Sequence, residues 1–183
     1  MVLEYFNEVT LKDGRKCCLR NGVAEDSAAV LENFILTHSQ TEFLLTYPDE
    51  SSFTEEQESH FLKAKSESEN EIEIIATVDG IVAGTAGIEV VGKVYKLEHR
   101  AEFGISIAKE FWGLGIGREL SKACIDCARR AGYFQLELNV VSDNERAIAL
   151  YKGLGFEEFG RNPAGFKTRS NGFQELVYMR LVL

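Results

Sequence analysis

Three glycines alternate with larger residues in the segment Trp112-Gly-Leu-Gly-Ile-Gly117. Glycine lacks a Cβ atom, so it adopts positive φ angles readily and lets an anion approach the backbone amides. Downstream of this loop, from Leu120 to Ala131, apolar residues recur with the period of an α-helix. The first amides of a helix have no internal partners and carry partial positive charge. A glycine loop that opens a helix therefore predicts a phosphate-binding site.

Two common phosphate loops do not match this segment. The dinucleotide fingerprint G-x-G-x-x-G requires glycine at position 118, which is Arg118, and no G-x-x-x-x-G-K-[ST] sequence is present. The alternating glycines alone are also compatible with a simple tight turn. A second motif is needed to decide between these interpretations.

The second motif is Asn144-Glu-Arg-Ala-Ile-Ala-Leu-Tyr151-Lys-Gly-Leu-Gly-Phe156, which follows an alternating stretch at Leu136-Glu-Leu-Asn-Val140. Together the motifs resemble the GNAT acyltransferase superfamily, whose members move an acetyl group from acetyl-CoA to an amine. The loop resembles its Q/R-x-x-G-x-G/A pyrophosphate loop, with Trp112 in place of Gln or Arg. The second motif resembles its N-x-x-A-x-x-L-Y-x-x-x-G-F signature. The resemblance extends from about Cys17 to the C-terminus and points to the branch of ribosomal-protein and spermidine N-acetyltransferases.

The resemblance implies acetyl-CoA as co-substrate, with the pantetheine arm on a strand edge and the pyrophosphate on the glycine loop. Asn144 is equally compatible with a role at a helix start. For Tyr151, the alternative is a place in the core. The implied cofactor-binding residues are Ile105, Ser106, Ile107, Trp112, Gly113, Leu114, Gly115, Ile116, Gly117, Arg118, Asn139, Asn144 and Tyr151.

Acetyl transfer to an amine requires a proton acceptor, because an alkyl amine with a pKa near 10.4 is mostly protonated at neutral pH. Glu102 is the first candidate, since it lies on the strand face opposite an apolar row, although a surface ion pair would explain it equally well. Glu89 and Glu42 are weaker candidates. The resemblance places Tyr151 beside the leaving sulfur, where its hydroxyl stabilises the thiolate. Ser106 has no recognisable triad partners, so direct attack in a ternary complex is expected.

The sequence leaves the acceptor amine open. A polyamine, a protein N-terminus and a small molecule such as an aminoglycoside or amino acid are all compatible with it. A module that binds CoA but has lost its acceptor chemistry is the non-enzymatic alternative. The irregular segment Ser39–Ser52 is expected to border the acceptor pocket, because the corresponding segment does so in the superfamily.

Composition limits the other classes of function. The chain of 183 residues has a formal net charge of −9, which disfavours a nucleic-acid partner. No apolar run is long enough to span a membrane, and no signal pattern is present, so a cytoplasmic protein is expected. The four cysteines and three histidines lack zinc-binding spacing, and Cys124 and Cys127 are expected to be buried hydrophobic residues, so no metal site is predicted.

The strands and helices predicted from the sequence form one α/β domain over residues 1–183, with a lead-in at 1–14 and a core at 15–183. A mostly antiparallel mixed sheet of seven strands is expected, with the fourth and fifth strands parallel and helices on both faces. The apolar tail Val177–Leu183 makes a homodimer plausible. The predicted strands are Arg15–Asn21, Glu71–Val78, Ile81–Val91, Ala101–Ile107, a strand from Phe134, Phe156–Arg161 and Phe173–Leu183, and the helices are Ala24–His38, Thr54–Ser68, one from Gly117 and one ending at Gly155.

Overall fold

The computed structural model describes residues 1–170 and 172–183, and within them eight strands form one sheet and four α-helices cover its faces. The spatial order of the strands is β1-β2-β3-β4-β5-β6-β8-β7. The strands are β1 (Phe6–Thr10), β2 (Lys16–Asn21), β3 (Ile72–Val78), β4 (Ile81–Val90), β5 (Arg100–Ile107), β6 (Gln135–Val141), β7 (Glu157–Thr168) and β8 (Gly172–Val182), and the helices are α1 (Ser27–Ser39), α2 (Glu55–Ser66), α3 (Ile116–Arg130) and α4 (Glu145–Gly153).

The sheet has one strand more than the seven predicted. The additional strand is β1, which lies in the segment 1–14 assigned to a lead-in and pairs antiparallel with β2. The two strands are joined by the turn Lys12-Asp13-Gly14, where Gly14 has a φ of +89°. The segment Phe6-Asn-Glu-Val-Thr10 does not alternate, because its two apolar residues, Phe6 and Val9, are three positions apart, so the pattern alone did not identify β1.

Helices lie on both faces of the sheet, as predicted. Ile74 and Ala76 of β3 belong to the main core, which also contains the apolar face of α3. Ile75 points to the other face and packs with Val30 of α1 and Leu62 of α2. Because successive side chains of a strand point to opposite faces, β3 is covered on both sides. The mixed α/β fold is therefore confirmed.

The parallel strands β5 and β6 pair over only three residues. The register matches Arg100 with Gln135 and ends where Glu102 lies opposite Glu137. Beyond that point β6 pairs only with β8, whereas β5 remains paired with β4 up to Ile107. The two strands therefore separate at their carboxyl ends, and one edge of β5 has no strand partner after Glu102 within the described residues.

The C-terminal hairpin is longer than predicted, because β7 extends to Thr168. The predicted turn at residues 170–172 includes Asn171, which lies outside the described residues. In the C-terminal tail, Val177 and Met179 are buried in the chain's own core, so they are not available to a second copy. The homodimer remains a prediction. In the described part of the chain, no helix has both the length and the apolar character needed to cross a membrane.

Candidate functional site

The glycine loop forms the connection between β5 and α3. Gly113 and Gly115 have φ angles of +83° and +101°, in the left-handed region that favours glycine, and Gly115 is the residue directly before the first turn of α3. A Cβ at Gly115 would meet no protein atom within 4 Å, so the space in front of its backbone is open. Gly117 serves packing instead, because its Cβ would lie 3.3 Å from Ile107 Cδ1.

The loop adjoins a cavity of about 420 Å³, which we call the donor cavity. The unpaired part of β5, the glycine loop and the start of α4 line it. Of the residues predicted to bind the cofactor, only Leu114 and Asn139 do not line this cavity. Leu114 instead packs against the core, and its carbonyl accepts a hydrogen bond from Lys12 N at 3.2 Å.

Cationic side chains from three separate parts of the chain line the donor cavity. Arg118 was predicted, but Lys12 of the β1–β2 turn and Arg146 of α4 were not. The Trp112 indole donates a hydrogen bond from Nε1 to the Ile107 carbonyl at 2.7 Å, and the Arg146 guanidinium lies 5.8 Å from the Trp112 ring centroid. Arg146 therefore places a positive charge next to the residue that replaces the usual Gln or Arg. Arg146 lies in the first turn of a predicted helix, and that position could have identified it from the sequence.

A second cavity, of about 570 Å³, lies between the sheet and the helices α1 and α2. We call it the carboxylate cavity, because Glu58, Glu73, Glu89 and Glu102 all line it. Leu44, Ile105 and Ser106 line both cavities, so the two spaces adjoin at the unpaired part of β5. The segment Ser39–Ser52, expected to border an acceptor pocket, contributes Leu44, Leu45 and Ser51 to the lining of this cavity.

Glu73 of β3 is the residue of this cavity that the sequence did not predict. Its carboxylate lies over Gly87 of β4, where any Cβ would collide with it. Burial raises the pKa of Glu73 to about 7, although a side-chain interaction with Thr85 and the charge of Lys65 act in the opposite direction. No Lys or Arg forms an ion pair with Glu73 in the part of the chain described. The sequence signal that could have identified Glu73 was its charge between two apolar residues, Ile72 and Ile74.

The other candidate carboxylates have different surroundings. Glu102 lies on β5 in the carboxylate cavity, its pKa is raised by burial and by the nearby Glu137 and Glu89, and it accepts a long hydrogen bond of 3.4 Å from Asn139 Nδ2. Glu89 forms an ion pair with Lys65 at 2.9 Å. Glu42 lines neither cavity and accepts a hydrogen bond from the Tyr47 hydroxyl at 2.7 Å.

Comparison with known proteins identifies the family. The model of the acetyltransferase (GNAT) family matches residues 34–156, which is more than half of the chain and includes both motifs. The chain belongs to the GNAT acetyltransferase family. The prediction made from the glycine loop and the second motif is thereby confirmed.

Two curated relatives illustrate the match. N-alpha-acetyltransferase RimI of Mycobacterium tuberculosis is 36% identical over 81 residues, which are 44% of this chain and 49% of that protein. The chain thus spans about half the length of this relative. The [ribosomal protein bS18]-alanine N-acetyltransferase of Escherichia coli is 33% identical over 118 residues, which are 64% of this chain and 76% of that enzyme.

Solved structures show the same fold. A GNAT acetyltransferase from Streptococcus pneumoniae has a TM-score of 0.86 and 26% identity, and the match covers 91% of this chain and 99% of that one. YncA from Salmonella typhimurium, solved with its cofactor acetyl-CoA, has a TM-score of 0.80 and 20% identity, covering 97% and 94% of the two chains.

Tyr151 of the GNAT signature is held by aromatic neighbours. Its ring packs edge-on against Phe103, with centroids 6.1 Å apart, and lies 5.9 Å from Phe156. Its hydroxyl forms no hydrogen bond within the described residues, and the side chain lines the donor cavity. Burial raises the pKa of Tyr151 well above its usual value, so the phenol stays protonated and can donate.

The two predicted asparagines differ in position. Asn144 is the N-cap of α4, where its Oδ1 accepts a hydrogen bond from Ala147 N at 3.3 Å, and it also lines the donor cavity. Asn139 lies on β6 beyond its last pair with β5 and reaches across the split to Glu102. Its amide bridges the two strands at the point where they separate.

Proposed function

We propose that this chain transfers the acetyl group of acetyl-CoA to a primary amine by direct attack in a ternary complex. The observation that supports this most strongly is the junction of the donor and carboxylate cavities at Ile105 and Ser106. A thioester in one cavity and an amine in the other would meet at β5. Holding both reactants in contact removes much of the entropic cost of a bimolecular reaction.

The donor cavity provides for each part of acetyl-CoA. Backbone amides of the glycine loop and the first turn of α3 bind the pyrophosphate, and Lys12, Arg118 and Arg146 supply positive charge around it. The pantetheine arm lies along the unpaired edge of β5, where it takes the place of a strand. Asn144 borders this path from α4.

Direct attack fits the nucleophiles present in the described residues. Burial raises the pKa of Cys17 and Cys127 to about 11, so these thiols stay protonated. Cys18, the least buried cysteine, lines neither cavity. Ser106 lines both, but within the described chain no histidine hydrogen-bonds to it. None of these groups is activated to form an acyl-enzyme.

The ammonium form of the acceptor first gives one proton to a carboxylate. We assign this role to Glu73, because its pKa of about 7 leaves a large unprotonated fraction at neutral pH and a proton affinity suited to general-base catalysis. Glu73 lies in line with Gly87 and Gly104 across three strands, and Thr85 beside it pairs across the sheet with Ser106 at the junction. Glu102 is the second candidate, being more exposed.

The nitrogen lone pair then forms the C–N bond and the C–S bond breaks, leaving the electron pair on sulfur. The second proton lost by nitrogen finally returns to the thiolate. Until then the Tyr151 hydroxyl donates a hydrogen bond to the sulfur, which strengthens as negative charge develops there. Full transfer of the phenol proton is not required, and the raised pKa of Tyr151 opposes it.

Replacing Tyr151 by Phe should lower kcat by about 10- to 100-fold, because a hydrogen bond to a charged group contributes about 1.5–3 kcal/mol. Affinity for acetyl-CoA, measured by calorimetry, should stay within a factor of about two, since Phe keeps the ring contacts. The loss should be smaller with a donor whose thiol is more acidic. An unchanged kcat would leave Tyr151 as a packing residue.

Mass spectrometry combined with an assay of free thiol tests the proposed function. Incubation with acetyl-CoA alone should leave the chain unmodified, and addition of a primary amine should release thiol and acetylated amine in equal amounts. An acetylated chain that transfers its acetyl group to a later amine would contradict direct attack. Binding of acetyl-CoA without thiol release for any amine would favour the CoA-binding module.

A further inference from the structure

The carboxylate cavity has a largely apolar roof. Phe34 and Leu31 of α1, Phe61 of α2 and Phe53 of the preceding segment line it. Phe53 and Phe61 meet edge to face, with ring centroids 6.4 Å apart. This surface suits an aromatic or aliphatic body, because burying apolar area is favourable and aromatic rings gain from edge-to-face contact.

Two glycines, which have no side chains, form the centre of the floor of the same cavity. Gly87 of β4 and Gly104 of β5 lie directly opposite each other in the sheet, and a Cβ at Gly104 would meet no atom within 4 Å. The Glu73 carboxylate covers Gly87. A ligand that enters therefore contacts backbone and a carboxylate below, and aromatic rings above.

The cavity is acidic and suits an ammonium group, because four carboxyl groups line it. Lys65 forms ion pairs with Glu89 at 2.9 Å and with Glu71 at 3.0 Å, so it neutralises only part of this charge. Burial raises the pKa of Glu58, and it raises the pKa of Glu73 to about 7, so Glu73 is partly protonated at neutral pH.

The cavity offers no free cation to a carboxylate on the acceptor, because the nearby Lys65 is held by Glu71 and Glu89. No Lys or Arg is among the described residues that line it. Burial lowers the pKa of His38, whose ring stacks on Phe34, so its imidazole is neutral at pH 7. A carboxylate on the ligand would meet Glu73 and Glu102 instead, and like charges repel strongly in a partly buried site.

We infer that the acceptor is a primary amine joined by a short alkyl link to an apolar, preferably aromatic, body, and that it has no carboxylate. This inference rests on the proposed function and deepens it. The ammonium group lies over the Gly87–Gly104 floor beside Glu73, and the apolar body lies against Phe34, Phe53 and Phe61. The acceptor class thus differs from amino acids, which carry a carboxylate, and from polyamines, which have no apolar body.

A panel of matched amines tests the acceptor class by thiol release. Phenethylamine is compared with L-phenylalanine, which has the same ring and an added carboxylate, with spermidine, and with a peptide that begins with alanine. We expect kcat/KM for phenethylamine to exceed that for L-phenylalanine by at least about 50-fold and that for the other two by at least about 10-fold. An equal or higher value for any of the three would overturn the acceptor class while leaving the proposed function intact. No thiol release with any amine would contradict both.

A variant of the roof tests where the apolar body binds. Phe53 is partly exposed, so Phe53→Ala should fold, and it should raise KM for phenethylamine by about 5- to 20-fold. KM for acetyl-CoA and kcat/KM for ethylamine, which has no ring, should not change. Phe159→Ala, at an exposed phenylalanine on β7 that lines neither cavity, is the matched control and should leave every constant unchanged. An unchanged phenethylamine KM in Phe53→Ala would overturn the placement.

Discussion

Glu73→Gln is expected to lower kcat/KM for the amine by about 10²- to 10⁴-fold, the range associated with loss of a general base. In the unmodified chain kcat/KM should rise as the pH passes through about 7, where Glu73 loses its proton. The variant should lack this rise, because Gln does not titrate. Steady-state rates between pH 5.5 and pH 9 at saturating acetyl-CoA measure both effects.

The same variant should be more stable than the parent at alkaline pH. Burial raises the pKa of Glu73 from 4.5 to about 7, so the folded state binds the proton more tightly than the unfolded state. The stability contributed by this group is complete below the unfolded pKa and is lost as the pH rises through the folded one. Relative to Glu73→Gln, the parent should lose up to about 3 kcal/mol between pH 4.5 and pH 8, and less where water reaches the carboxylate. Urea unfolding at pH 5 and pH 8 measures this difference.

Two further variants make the assignment specific. Glu42→Gln changes a carboxylate outside both cavities and should leave the pH profile unchanged. Glu102→Gln changes the second carboxylate and should lower the rate less than Glu73→Gln does. If Glu102→Gln removes the rise near pH 7 and Glu73→Gln retains it, Glu102 is the proton acceptor, as the sequence alone predicted.

Local patterns predicted the glycine loop and the helix that follows it. The change of period after Gly117 placed the start of a helix directly behind three alternating glycines, and the structure puts Gly113 and Gly115 in the left-handed region there. Alternation along Ala101–Ile107 likewise predicted which side chains face the core. Both signals come from residues that are close together in the chain, so they can be detected in the sequence.

The carboxylate cavity depends on contacts between distant segments. Alternation showed that Glu73 faces away from Ile72 and Ile74, but not that α1 and α2 cover that face and exclude water from it. Arg146 and Lys12 reach the glycine loop from α4 and from the β1–β2 turn, and no local pattern contains that proximity. The sequence failed to predict strand β1 for the same reason, because β1 forms by pairing with β2.

The donor site has its own decisive substitution in Gly115→Ala. The added Cβ would project into the open space before α3, where the pyrophosphate is proposed to bind, and would cost one or two charge-assisted hydrogen bonds. Affinity for CoA should fall by about 100-fold, corresponding to about 3 kcal/mol. Trp112 is the chain's single tryptophan and lines the same cavity, so its fluorescence reports the titration.

Gly132→Ala provides the matched control for this substitution. Gly132 follows α3, has a φ of +82°, and a Cβ there would also meet nothing within 4 Å, but it lines neither cavity. Both variants impose a left-handed conformation on alanine, which costs about 1–2 kcal/mol of stability. Their melting temperatures should therefore fall by similar amounts, and only Gly115→Ala should lose CoA affinity. If the two variants bound CoA with equal affinity, backbone strain alone would explain the need for glycine at position 115. The pyrophosphate would then have to bind elsewhere.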